Sequence, residues 1–369
     1  VVWRTVFRRT GWLALANLSQ RREALLCAFE RPAICWPVLL FMGDLALFGA
    51  GSALALLAGA LALKLVGTLL VATAIARLFL IGHDACHGSF LPNQAVNRVV
   101  GRIAFLPSMT AFSLWDVGHN VAHHGFNNLK GRDQVWTPFS KAEFDALPRH
   151  RRGLERLYRS GFGCGAYYLV ELWWRKLYFP SQREIGSTRL RYRLDSALVT
   201  LGALLWLAAV AYVARATDQS FLLLAGLAVI GPFLLWNGIM GFVVFVHHTH
   251  PQIAWFAKRL EWQRSRAYLL ATANVRLPLG LDRLLHNIME HHAHHVNPRI
   301  PMFRLRGAQR RLRERHPGQG LSYRLDFRNY RDCVRCCKLY DFTTHSWLDF
   351  HGQVTSAVAM MAAPHARAA

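Results

Sequence analysis

Residues Pro32–Ala76 read PAICWPVLLFMGDLALFGAGSALALLAGALALKLVGTLLVATAIA, and their only charges are Asp44 and Lys64. A helix crosses a bilayer with about 20 apolar residues. The stretch therefore holds two crossings, with a tight turn at Ala58-Gly59-Ala60. The pattern returns further on. Ser196–Ala214 is uncharged, Arg215-Ala-Thr-Asp218 interrupts, and Phe221–Ala257 is again uncharged. Spans are expected at about 34–57, 60–82, 196–214 and 221–246. The alternative is a set of buried helices in a water-soluble protein, but such long uncharged runs seldom come in pairs there.

The chain has 369 residues, 53% of them hydrophobic and 18% charged, which excludes disorder and fibrous repeats. It carries 44 Lys+Arg against 21 Asp+Glu, a formal +23. Such a balance suits either nucleic-acid binding or a membrane protein with basic cytoplasmic loops. The distribution decides between them. All Lys and Arg except Lys64, Arg77 and Arg215 lie in residues 1–32, 81–194 and 247–369. Both termini and the long central segment are thus expected on the cytoplasmic side, and a nucleic-acid partner is not. Basic residues near the bilayer also favour anionic headgroups.

The expected fold is an all-α integral membrane protein with four transmembrane helices in two hairpins, interfacial helices and a cytosolic cap. Residues 1–30 form a cytosolic N-terminal segment, 31–350 the membrane domain and 351–369 a loose tail. The Arg-rich start and a first apolar run too long for a leader predict no secretory signal. The interfacial candidates are Val99–Trp115, short and broken at Pro107, and Gly161–Pro180. The second holds Tyr167, Tyr168, Trp173, Trp174, Tyr178 and Phe179, a composition that favours the headgroup level; packing under a cytosolic cap is the alternative. Seven cysteines without a spacing ladder predict reduced thiols.

Of the eighteen histidines, thirteen fall in four clusters, while His150, His316, His345, His351 and His365 stand alone and read as ordinary core or surface residues. His83-Asp-Ala-Cys-His87 follows the second span, and His119-Asn-Val-Ala-His123-His124 follows the short apolar segment. His247-His248-Thr-His250 closes the fourth span, and His286-Asn-Ile-Met-Glu-His291-His292-Ala-His294-His295 lies beyond it. Residues three and four apart share a helix face. His83/His87, His119/His123 and His291/His294/His295 are therefore each expected to aim at one point. Neutral imidazole suits iron, zinc, copper and nickel. Nine imidazoles exceed the needs of one tetrahedral zinc, so two metals are expected. The chain has no HExxH, and none of its nine glutamates is followed three residues on by a histidine. Zincin and carboxylate di-iron sites are thereby disfavoured. Asp84, Asn120, Asn127, Asp133, Asn287 and Glu290 are placed to hold the ligating rings, with an ordinary capping or solvated role as the alternative for each.

The order HDACH, HNVAHH, HHTHP, HHAHH resembles the membrane-bound fatty-acid desaturases with three histidine boxes. His83–Phe90 (HDACHGSF), His248–Pro251 (HTHP) and His286–Pro301 (HNIMEHHAHHVNPRIP) are similar to the delta-12 (omega-6) acyl-lipid branch. The resemblance runs from about residue 31 to about 350. It implies an oxygen-dependent enzyme with two iron ions that places a double bond in an acyl chain of a membrane lipid. It further implies nine ligands: His83, His87, His119, His123, His124, His248, His291, His294 and His295. His292 is an extra histidine in the third box, and His286 is expected to support a ligand rather than to be one. His247 and His250 are expected to be dispensable for metal.

The chemistry fits that implication. An unactivated methylene has no useful acidity, so its hydrogens leave only to a metal–oxygen oxidant. The alternatives are a related membrane di-iron hydroxylase or carotenoid ketolase-type oxygenase, and a metal transporter. A transporter needs polar ligands near the bilayer midplane, where the spans offer little besides Asp44 and Asn237. His316-Pro-Gly-Gln-Gly320 superficially matches a cytochrome b5 haem word but reads as a turn. Cys333-Val-Arg-Cys336-Cys337 lacks a second half for a metal site. Electrons are therefore expected from a separate carrier of ferredoxin or cytochrome b5 type.

Overall fold

The computed structural model describes residues 24–30, 33–180, 190–265, 267, 271–318 and 320–357. The expected N-terminal segment and loose tail fall mostly outside these residues. The chain divides into two compact units. One is drawn from the described parts of residues 1–29, 119–167 and 242–369, the other from 30–118 and 168–241.

The second unit is built on apolar helices. Four helices among the described residues are long and apolar enough to cross a membrane: α1 (Cys35–Leu57), α2 (Leu61–Cys86), α5 (Leu190–Ala216) and the stretch Phe221–His248, which ends in α6 (Gly231–His248). Between α2 and α5 come α3 (Gln94–Phe105) and α4 (Asp116–His123), the latter wound as a π-helix. Helix α2 is the most enclosed of the four, while Leu39 and Met42 of α1 and Leu201, Leu204 and Leu205 of α5 are exposed.

Small residues bring α1 and α2 into backbone contact. A Cβ on Gly67 would lie 2.4 Å from the Ala55 nitrogen and 2.8 Å from the Gly51 carbonyl oxygen, the close approach small residues permit between apolar helices. The charges inside the apolar run are also accounted for. Lys64 Nζ donates to the Leu56 and Ala55 carbonyls at 2.8 and 3.3 Å, and Gln219 Nε2 also donates to Leu56 (3.0 Å). These satisfy carbonyls that the end of α1 leaves without helical partners. Asp44 pairs with Arg77 at 2.5 Å, and Asn237 Nδ2 donates to the Phe233 carbonyl at 2.8 Å.

Helices α2 and α5 overrun the bounds expected from charge by several residues, and α6 by two. Helix α2 continues past residue 82 to Cys86, and α5 starts at Leu190 instead of 196. The reason is local pairing: Asp195 accepts from Arg102 at 2.7 and 3.3 Å and from the Ser113 amide at 2.9 Å. A charge marks where water or a partner begins, not where helical hydrogen bonding stops. The aromatic segment also departs from a wholly interfacial reading. Tyr167, Tyr168 and Trp173 are buried, while Trp174 and Phe179 stay exposed.

The first unit corrects the all-α expectation. Alongside the short helices α7 (His291–Val296), α8 (Leu305–Arg315) and α9 (Phe327–Cys336) it holds five strands of three or four residues. Strands β1 (Ala273–Arg276) and β2 (Leu321–Arg324) pair in parallel, Ala273 opposite Leu321. Strands β3 (Leu339–Asp341), β4 (Ser346–Leu348) and β5 (Val354–Ala357) form an antiparallel sheet. Runs this short carry no readable alternation, and the parallel pair forms only because distant segments meet. Trp136, Tyr158, Trp255, Tyr340 of β3 and Trp347 of β4 are fully buried in this unit. Pro317 and Gly318, after α8, lie in a turn as expected, and all seven cysteines are free thiols.

Candidate metal centre

In the first unit, the donor atoms of His123, His248, His291 and His295 lie within 4.8 Å of one another, and all four residues are buried. Nε2 of His291 is 3.1 Å from Nε2 of His248 and 3.0 Å from Nε2 of His295. His123 meets the His248 and His295 rings edge-on, with centroids 4.7 and 4.9 Å apart. In the same unit His119, His124 and His294 gather their own donors. There the His124 Nε2 is 3.1 Å from that of His119 and 3.0 Å from that of His294. In the other unit His83 and His87, at the end of α2, bring their Nε2 atoms to 3.3 Å.

Two of the expected groupings are corrected here. His119 and His123 do not share a target: His119 joins His124, five residues along. The π winding of α4 is responsible, since its hydrogen bonds span five residues and its turn is wider than that of an α-helix. His291, His294 and His295 also divide. His291 and His295, four apart, meet on one face, while His294 turns to His124.

The folding of each segment explains these positions. Nδ1 of His123 lies 3.0 Å from Oδ1 of Asp133, whose carboxylate is fixed by the amides of Asn128 (2.8 Å) and Val135 (2.9 Å). The tight loop carrying that carboxylate is allowed by left-handed backbone at Asn128 and Gly131. With the His123 Nδ1 proton donated to Asp133, Nε2 keeps its lone pair for a metal. His83 Nδ1 is similarly 3.2 Å from Asp84 Oδ1.

Helix α7 is buried along its whole length. Its N-cap, Glu290, makes no side-chain hydrogen bond to the first-turn amides, which leaves one of them to find another partner. Gln309 of α8 supplies it: its Oε1 accepts from the Ala293 amide at 2.9 Å. Sequence reading missed Gln309, because nothing local links residues 293 and 309.

Other expected supports lie elsewhere. Glu290 turns toward Arg306 Nε (3.9 Å), and burial raises its proton affinity. Asn127 is engaged through its carbonyl, which accepts from Trp262 Nε1 at 2.8 Å, and its side-chain atoms make no hydrogen bond. His286 and Asn287 adopt left-handed backbone in the turn before α7. Asn120 is half-buried on α4. His292 faces the Thr272 carbonyl and packs on Gly320, where a Cβ would come within 2.9 Å of the ring. His247 stacks on His291 with centroids 3.8 Å apart, and His250 accepts the Gln252 amide through Nδ1 at 3.1 Å.

The donor set suits a transition metal. Nitrogens bound to one ion at about 2.1 Å lie roughly 3 Å apart, and the observed 3.0–3.1 Å spacings allow that. Burial first, then the neighbouring imidazoles, holds His291 and His295 well below the usual imidazole range, so both are neutral donors at ordinary pH. Nitrogen-only groups of this kind suit iron and its neighbours better than magnesium or calcium.

Four apolar helices and two groups of converging imidazoles are what a membrane-associated protein with a histidine-rich metal site would present. The profile of the fatty acid desaturase family matches residues 59–327, and the chain belongs to that family. It is similar to a chloroplastic omega-6 fatty acid desaturase of Glycine max, 31% identical over 274 residues covering 73% of this chain and 61% of the relative. The corresponding protein of Spinacia oleracea is 28% identical over 73% of this chain and 58% of its own length. An sn-1 oleoyl-lipid 12-desaturase of Picosynechococcus sp. is 28% identical over 76% of this chain and 78% of its own length. The match spans about three-fifths of the two plant relatives.

Proposed function

We propose that this chain is an oxygen-dependent acyl-lipid desaturase of the delta-12 (omega-6) type, working with two iron ions. The observation that carries the reading is the buried, nitrogen-only group His123, His248, His291 and His295. The similarity to plant omega-6 and cyanobacterial 12-desaturases supports the regiochemistry. Bound iron supplies, with O2, the oxidant that removes hydrogen from an unactivated acyl chain.

The protein's part is placement. Asp133 holds the His123 ring by its Nδ1 proton, and Asp84 does the same for His83. His119, His124 and His294 form the second donor group, and His83 and His87 bring the ligand set to nine, as the family resemblance implies. Asn120, His286, Asn287 and Glu290 border the boxes as supporting residues. The surrounding apolar burial keeps water away from the donors and from the acyl chain.

In this reading the apolar helices cross the membrane as two hairpins, with the turns near Gly59 and Asp218 outside. The termini and histidine boxes lie on the cytoplasmic side, following the basic residues. Residues 31–350 form the membrane domain with its cap. The substrate is an acyl lipid in the bilayer, and electrons come from a separate ferredoxin or cytochrome b5-type carrier.

The test is expression in a host whose lipids contain only saturated and monounsaturated chains, followed by gas chromatography of the acyl esters. A new diene carrying the delta-12 double bond is expected. A hydroxylated or keto product from iron-loaded protein would overturn the reading.

A further inference from the structure

In the first unit, two exposed apolar segments leave the same end of the parallel strand pair. Arg276 of β1 stands opposite Arg324 of β2, and the Arg276 carbonyl accepts from the Leu325 amide at 2.8 Å. Beyond β1 the chain turns through Pro278-Leu279-Gly280 with φ of +56° at Leu279 and +71° at Gly280. Leu279 is 97% exposed, and Leu281 and Leu284 follow at 45% and 44%. Beyond β2, Phe327 is 80% exposed.

The charges around this rim are mostly of one sign. Arg276, Arg283, Arg324 and Arg328 are exposed. Asp282 is paired with Arg306 at 2.8 Å, and Asp326 accepts the Asn329 amide as the cap of α9. A leucine held in the left-handed region with its side chain in solvent meets neither a backbone preference nor a packing need.

We propose that this rim dips into the headgroup layer of an anionic bilayer, with its leucines and Phe327 at the acyl boundary and its arginines at the phosphates. Arginine suits that position because its stem lies along apolar surface while its guanidinium reaches the headgroups. Exposure and charge favour lipid over a protein partner. Three leucines and Phe327 stand out in solvent among arginines, a charge that anionic phosphates complement. The inference rests on membrane residence but not on the metal reading, and iron content does not enter its test.

The test uses the full chain in nanodiscs of phosphatidylcholine, with and without phosphatidylglycerol. A nitroxide is placed at Leu279→Cys, with the signal of the labelled unsubstituted protein subtracted. A label at Glu314→Cys on the exposed face of α8 serves as the aqueous reference. The label at 279 is expected to be accessible to oxygen and shielded from a soluble nickel chelate, the reverse of the label at 314. Arg276→Gln with Arg283→Gln should reduce that shielding in phosphatidylglycerol discs and leave it unchanged in pure phosphatidylcholine. Phe327→Cys gives an independent reading if the Leu279 variant misfolds. Nickel accessibility at 279 and 327 equal to that at 314 would overturn the proposal. So would shielding that appears only when an acidic ferredoxin is added, which would assign the rim to a protein partner. Failure of membrane residence itself would show separately, as failure to enter the discs.

Discussion

His294 and His295 are adjacent in the chain, yet their imidazoles serve different groups. His294 Nε2 sits 3.0 Å from His124 Nε2, and His295 Nε2 sits 3.0 Å from His291 Nε2. Successive residues on a helix point about 100° apart, so a short helix between two donor groups feeds both. His123 and His124 divide in the same way. Single substitutions should therefore separate the groups. His294→Ala and His295→Ala should each retain about one iron, because imidazole loss opens only the group it belonged to. Iron analysis with Mössbauer spectroscopy checks this: the two variants should leave different residual signals. Identical spectra would contradict two independently held ions.

The histidine trio at the end of α6 gives a second prediction. His248 belongs to the four-imidazole group, while His247 stacks on His291 and His250 accepts a local amide. His248→Ala should lose one iron and essentially all turnover. His247→Ala and His250→Ala should keep both ions, measured by metal analysis after purification. Full iron in His248→Ala would show that the wrong imidazole had been assigned.

Asp133 is expected to act through His123. Asp133→Asn weakens the hydrogen bond that fixes the ring and its tautomer, and losses of this kind cost about 10–100-fold in metal affinity. Competition with a coloured chelator measures it. An unchanged affinity would leave Asp133 as loop scaffolding for the Asn128 and Val135 amides.

Gln309→Leu should destabilise α7 without touching any ligand. It strands the buried Ala293 amide, at a cost of about 1–3 kcal/mol. The thermal midpoint of chelator-treated protein should fall, and iron-loaded protein should recover part of the difference, since metal binding favours the folded state. No change in the metal-free midpoint would remove Gln309 from that role.

Gly67→Leu should damage the α1–α2 contact. Even its Cβ would meet the Ala55 backbone at 2.4 Å, and overpacking of this kind costs about 1–3 kcal/mol. Lower yield of monodisperse protein in detergent is expected, whereas the same substitution at Gly43, with nothing within 4 Å, should be tolerated.

Much of this was legible in the sequence. Uncharged runs locate the apolar helices because water-avoiding length is a local property. Four-residue spacing correctly joins His83 with His87 and His291 with His295, since an α-helix repeats every 3.6 residues. The histidine words placed the family for the same reason: all the information lies within a few residues.

What the sequence could determine by itself, then, was composition, periodicity and local words: apolar helices, a nitrogen-rich donor set and the desaturase family. The tertiary structure decided which imidazole meets which. The π winding of α4 sends His119 to His124, and the approach of α7 to the segment around residue 124 separates His294 from His295. It also decided the Gln309–Ala293 support and the β1–β2 pairing. These contacts join segments distant in the chain or depend on a helix changing its winding. Neither leaves a periodic trace in the residues themselves, because each is set by packing against partners that the local sequence does not contain.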